Sequence, residues 1–189
     1  MTSAIFVDGE NINPAYSKSI SNYIKKKEHG ILSFTVYGNM YHPNMRIWNK
    51  LYLDIKIPHY KCEHTYSFGI KNSSDMYIVQ KICEFLYKYK SVDKYYIISS
   101  DSDFSHIARE IQRCGKLCIL IGGKSNSNKL LKNSVNNFIN IEDNFVEDKN
   151  INVKFYTTKK TNNKFNKQTK SSSKSSSKSP SKSSSKSPS

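Results

Sequence analysis

Four aspartates stand where the chain passes from one element to the next: Asp8, Asp75, Asp101 and Asp103. Tyr95 to Ser99, rich in β-branched and aromatic residues, reads as a buried strand. It runs into Ser100-Asp101-Ser102-Asp103, residue types preferred at helix starts. An apolar stripe at helical spacing follows, formed by Phe104, Ile107, Ala108, Ile111 and Cys114. Asp8 ends a second apolar strand, Ala4 to Val7, and Asn13-Pro14 after it is a helix-start pair. Asp75 opens a further helix at Ser73-Ser74-Asp75. If the strands ending at Asp8 and Ser99 are neighbours, these carboxylates converge on the sheet edge where α/β proteins bind ligands.

Converging carboxylates repel one another unless a cation neutralises them. Hard oxygen ligands suit Mg²⁺ or Mn²⁺, which position water and stabilise the oxygens of a phosphodiester displacement. The competing reading is local: Asp75 and Asp103 as acids near helix N-termini, and Asp101 as a cap. Asp8, at a strand end before Gly9, has no such capping duty.

The elements that must hold these residues follow from periodicity. A helix is expected over Pro14 to His29, stopped by Gly30, with Ile20, Tyr23 and Ile24 inward. Strands are expected at Ile31–Tyr37 and Asp54–Tyr60, separated by a helix from His42-Pro43 carrying Met45, Trp48, Leu51 and Tyr52. Residues 61–72 read as a loop, and the helix after it should bury Met76, Val79, Ile82, Cys83 and Leu86. Lys116–Ile121 is a fifth strand, Ser127–Lys132 a short helix, and Phe138–Ile141 a last edge strand. Strands alternating with helices imply right-handed crossovers and a parallel sheet. Gly122-Gly123-Lys124-Ser125 reads as a turn, because the Gly-x-x-x-x-Gly-Lys-Ser/Thr spacing of a phosphate-binding loop is absent.

The 189 residues carry 30 Lys and Arg against 15 Asp and Glu, a formal charge of +15. Residues 151–189 contribute 10 of those lysines and no acid, and residues 171–189 contain only Ser, Lys and Pro. Such a segment has no apolar surface to bury and is expected to be a disordered basic tail, here residues 149–189, behind a domain of residues 1–148. A basic arm points to a polyanion. No run of about 18 apolar residues suits a membrane span, and the start of the chain lacks a signal-peptide layout. Cys62, Cys83, Cys114 and Cys118 fit free thiols in a reducing, intracellular setting. His59, Cys62 and His64 match no strong zinc spacing.

Several motifs occur in order: Asp8-Gly-Glu-Asn-Ile-Asn13, Val36-Tyr-Gly-Asn39, Lys71-Asn-Ser-Ser-Asp75, Ser99-Ser-Asp-Ser-Asp-Phe104, and Leu117-Cys-Ile-Leu-Ile-Gly122 with Asn137-Phe-Ile139. Over about residues 3–145 this set resembles the NYN domain, the PIN-like nuclease group that includes LabA-like proteins. The resemblance implies a PIN-like three-layer α/β/α sandwich with a parallel sheet of order 3-2-1-4-5. It also implies a ribonuclease site that uses Mg²⁺ or Mn²⁺ at Asp8, Asp75, Asp101 and Asp103, with Asn11 supporting Asp8. Two positions depart from the pattern, Asn136 before the last strand and Lys81 in the helix after Asp75, where relatives often carry acids. The alternative reading is therefore a catalytically weak or inactive RNA-binding or scaffold protein of the same fold. Asp-Ser-Asp after a strand is also similar to the Toprim metal motif, but that motif ends its first strand with glutamate, where Asp8 stands. Lys61, Lys71 and Lys124, with Tyr66 and Phe68 for base stacking, are the expected RNA contacts within the domain.

Overall fold

Strand β1 (Thr2–Asp8) is buried along nearly its whole length, as a central strand covered on both faces must be. In the computed structural model, which describes residues 1–51, 56–65, 73–123 and 129–151, it pairs in parallel with strands on both sides. Chain order runs β1, a 3-10 turn (Pro14–Tyr16), α1 (Ser17–Lys27), β2 (Gly30–Gly38), α2 (Pro43–Lys50), β3 (Tyr60–His64) and α3 (Ser73–Lys88). Then come β4 (Val92–Ile98), a 3-10 turn (Ser102–Phe104), α4 (Ser105–Arg113), β5 (Leu117–Gly122), α5 (Lys129–Lys132), β6 (Asn137–Asn140) and α6 (Ile141–Asn144). The sheet order is β3-β2-β1-β4-β5-β6, parallel at every pairing. This is the expected α/β fold with strands 1 and 4 adjacent and β6 added at the edge.

The pleat divides the apolar residues between two cores. Ile5 and Val7 face one layer with Ile20, Ile24, Met45 and Trp48, while Ala4 and Phe6 face the other with Ile78, Ile82, Ile107 and Ile111. On the second face Phe6 lies nearly parallel to Tyr37 and Tyr95, with ring centroids 6.1 and 6.2 Å away, and Phe85 meets it edge-on at 5.2 Å. This row spans β2, β1 and β4 and fixes their register by interlocking rings.

Five expectations need correction. Helix α1 ends at Lys27, and Gly30 opens β2 instead of capping the helix. Glu28 is extended and buried, and it accepts hydrogen bonds from Ser3 Oγ, Tyr96 Oη and Lys94 Nζ. Strand β3 is Tyr60–His64, later than the expected Asp54–Tyr60; residues 52–55 lie outside the described set, and Lys56 and His59 take positive φ of 42° and 59°. The face of α3 is turned: Ile78 and Ile82 are buried, whereas Met76 is 68% exposed and Cys83 is exposed. Ile78 and Ile82 follow Asp75 by three and seven residues, so one helix face buries both and aims Asp75 at the sheet edge. Finally, Cys114 is exposed at the end of α4, and Ile141 begins α6 instead of closing a strand. Gly115, at φ 72°, ends α4 with its N–H on Gln112 O (2.9 Å) and the Lys116 N–H on Ile111 O (3.1 Å), a left-handed stop that favours glycine.

Residues 145–148 return to the start of α1 through Asp148 N on Ala15 O (2.9 Å) and a Lys18–Asp148 ion pair (2.9 Å). The tail expected from sequence falls, from residue 152 onward, outside the described residues. Among those residues no helix is long and apolar enough to cross a membrane.

The Glu28 cluster sits at the end of the sheet away from the strand ends that carry the aspartates. Burial pushes the Glu28 carboxyl up, but the hydrogen bonds from Ser3, Lys94 and Tyr96 win and hold it below its ordinary value. Glu28→Ala strands three donors and is expected to cost about 3 kcal/mol, the scale of breaking a buried pair. Urea denaturation should show a lower midpoint with an unchanged slope.

Candidate active site

Pairing between β1 and β4 matches Val7 with Ile98, which brings Asp8 level with Ser99 at the carboxyl ends of both strands. Asp8 is only 4% exposed; its Oδ2 accepts from Ser99 Oγ at 2.9 Å and its Oδ1 from Asn11 N at 3.3 Å. The turn after it is tight. A Cβ on Gly9 would lie 2.2 Å from Met45 Sδ and 2.6 Å from Val36 Cγ1, so only glycine fits there. Asn11 joins the two strand ends, because its Oδ1 accepts from Ser100 N at 3.0 Å. Ser99 Oγ accepts in turn from Asp101 N at 3.1 Å. Asp101 caps the following 3-10 turn, with its Oδ1 on Asp103 N at 2.9 Å.

Helix α3 brings Asp75 to the same place. Asp75, Asp101 and Asp103 each offer a carboxylate oxygen within 4.8 Å of the others. Asp75 and Asp101 are half-buried and Asp103 is exposed, so the group opens to solvent. Asp8 lies behind this trio as a buried neighbour on which the Asp75 charge acts. Burial first, then the Asp75 and Glu10 charges, push the Asp8 carboxyl up to about 7, against the hydrogen bonds from Ser99 and Asn11. Asp75 is pushed up to about 6 by burial, then by Asp101, Asp103 and Glu10. The donor set is all hard oxygen, carries excess negative charge and has an open side. It fits a small divalent cation of the Mg²⁺ or Mn²⁺ type.

Sequence reasoning missed the residue that ties the frame together. Glu10 Oε1 accepts from Asn39 N at 2.7 Å and from Ser74 Oγ at 2.9 Å, and Ser74 Oγ lies 2.7 Å from Thr65 Oγ1. One carboxylate therefore links the β1 turn, the β2 turn and the first turn of α3, with the β3 end one bond further. The signal was present, since Glu10, Asn39 and Ser74 all lie within the ordered motifs.

The other anticipated residues are placed differently. Lys61 is on β3, paired with Thr35, before the crevice end, and its Nζ is 2.8 Å from Glu63. Lys71, Lys124, Tyr66 and Phe68 lie outside the described residues. Asn136, just before β6, lies against the start of β5: its Oδ1 accepts from Cys118 N at 2.8 Å and its N–H donates to Cys118 O at 3.0 Å. Cys118 pairs with Tyr95, four strand positions or about 13 Å from Ser99. Lys81 lies with Glu63 at 3.4 Å and Glu84 at 3.5 Å. The two departures from the sequence pattern thus serve β5 pairing and a charge cluster on α3.

Comparison with known proteins agrees with this architecture. The fold is similar to the crystal structure of a Vibrio parahaemolyticus protein of unknown function, with a TM-score of 0.57 and 21% identity, over 76% of this chain and 94% of that chain. No curated protein matches the chain. The model of the NYN domain matches residues 2–142, and with the strand order and acidic group described above it places the chain. The protein belongs to the NYN domain family, within the PIN-like nuclease superfamily.

Proposed function

We propose that the chain is a divalent-metal-dependent ribonuclease that hydrolyses phosphodiester bonds in RNA. The observation that supports this reading most is the trio of Asp75, Asp101 and Asp103, with carboxylate oxygens within 4.8 Å of one another beside buried Asp8. Mg²⁺ or Mn²⁺ held by these carboxylates supplies Lewis-acid stabilisation of the phosphodiester oxygens and an activated water. The chain's own residues set the stage. Asp75 arrives from α3, Asp101 and Asp103 from the turn after β4, and Ser99 and Asn11 fix Asp8 by its two oxygens. Glu10 holds the three turns against one another, so the trio is pre-positioned. The reading of an inactive relative loses support, since Asn136 and Lys81 engage Cys118, Glu63 and Glu84.

The experiment is cleavage of end-labelled single-stranded RNA by the purified chain. Fragments should form with Mg²⁺ or Mn²⁺ and disappear with EDTA. Intact RNA at every metal concentration would sink the proposal.

The lysine tail, residues 149–189, belongs to the same reading as an affinity arm. Lysines gather RNA through phosphates and released counterions, without choosing a sequence. Each single-strand phosphate that no longer has a lysine partner lowers the slope of log affinity against log salt by about 0.7. Truncation after residue 150 should flatten that slope by several such steps and leave cleavage at saturating RNA nearly unchanged. An unaltered slope would make the tail a solubility extension.

A further inference from the structure

Across the sheet edge from α3, a groove of about 280 Å³ opens beside the carboxylates. It shares Asn11 and Ser100 with the acidic site, and Asn13, Tyr16, Gly123 and Glu147 continue its wall. Ile12 and Ile141 give it an apolar floor. Among the described residues its charged lining is the Glu142 and Glu147 carboxylates, acceptors that favour hydrogen-bond donors. The Tyr16 hydroxyl faces Glu147; burial, then this contact, pushes the phenol up to about 12. A carboxylate has about four acceptor positions, so Glu147 can take further donors while it holds Tyr16. Asn11 and Asn13 use their Oδ1 atoms on Ser100 N (3.0 Å) and Ala15 N (2.9 Å), which leaves their amide N–H groups as what they present.

We infer that this groove is a guanine-selective nucleobase pocket, which holds the unpaired base next to the phosphate at the carboxylates. The inference rests on the ribonuclease reading for its biological use, but not for its physical test. Guanine places two adjacent donors, N1–H and the N2 amine, beside the O6 acceptor. A carboxylate accepts the pair and an amide N–H reaches O6. Adenine and cytosine offer one donor group beside an acceptor on that edge, and uracil one donor between two acceptors, so each leaves part of the wall unmatched. Single-stranded RNA is read in this way, by unstacked bases hydrogen-bonded along their edges. The groove's volume of about 280 Å³ is on the scale of one nucleoside.

The test uses the ¹⁵N-labelled full chain in EDTA, titrated with guanosine, inosine and adenosine. Guanosine should shift the amide signals of Asn11, Ser100 and Gly123. Inosine lacks the N2 amine and should bind about tenfold more weakly, the scale of one hydrogen bond to a charged group. Glu147→Gln, at an exposed position, should keep the fold and reduce guanosine to the affinity of inosine. Equal binding of guanosine and inosine, no shift at those amides, or discrimination that survives Glu147→Gln would each overturn the inference. Because this titration needs neither metal nor cleavage, its failure is separate from failure of the ribonuclease reading.

Discussion

Asp101→Asn is expected to lower metal-dependent RNA cleavage by about 10²- to 10³-fold, the scale of removing one preorganised electrostatic contact to a transition state. The fold should survive. An asparagine at this position still accepts from Asp103 N and caps the turn after β4, because Asn and Asp are equally good caps. What disappears is one negative charge from a group whose oxygens lie within 4.8 Å of one another. Neutral amides are poorer ligands for Mg²⁺ than carboxylates. Single-turnover rates at saturating RNA, read beside circular dichroism spectra, separate the two roles. An Asp101 that only capped the turn would give a variant with unchanged rates.

The second large effect concerns stability and its sign. In metal-free protein Asp8 sits at about 7, against 3.8 for an ordinary aspartate, chiefly through burial. Between those values the folded chain holds a proton that the unfolded chain has released, so stability falls as pH rises through this window. The loss is complete above the folded-state value and is on the order of 4 kcal/mol. Asp75, pushed up to about 6 and half-buried, adds to the same trend by a smaller, solvent-screened amount. Glu28, held below its ordinary value, acts in the opposite direction at lower pH, which makes pH 5 to 8 the informative range. In EDTA, wild type should melt higher at pH 5 than at pH 8, and Asp8→Asn should be flatter and more stable at pH 8. Mg²⁺ should restore wild type at pH 8 by mass action on the native state. Identical pH profiles for wild type and Asp8→Asn would show that Asp8 ionises freely.

The parts of this architecture written in local patterns are legible in the amino-acid sequence. Strands β1 and β4 are short apolar runs, and Asn13-Pro14 does start the next turn, its side chain on Ala15 N. The carboxylates stand out because each lies at an element boundary. The errors come where tertiary contacts decide. Lys56 and His59 take positive φ without being glycine, so no turn residue announces that β3 starts at Tyr60. Two apolar stripes overlap on α3, and the contact that buries Ile78 and Ile82 selects one of them. Glu10 acts through Asn39 and Ser74, 29 and 64 residues away, which no local period records. Depth is equally invisible: the sequence sets Asp8 apart only by its lack of a capping duty, yet it lies buried behind the other three. Asn136 resembles a missing acid of the site because it precedes the last strand, but that strand runs parallel and starts at the far end of the sheet.

Whether these carboxylates form a cation site is decided by calorimetric titration of the EDTA-treated and dialysed chain with Mn²⁺ at pH 6.5, repeated in two buffers of different ionisation enthalpy. Cation binding must displace the protons that burial and mutual repulsion keep on Asp8 and Asp75. The expected result is saturable Mn²⁺ uptake with proton release, weakened in Asp75→Asn. Mn²⁺ uptake without proton release, uptake unchanged in Asp75→Asn, or no uptake would contradict it.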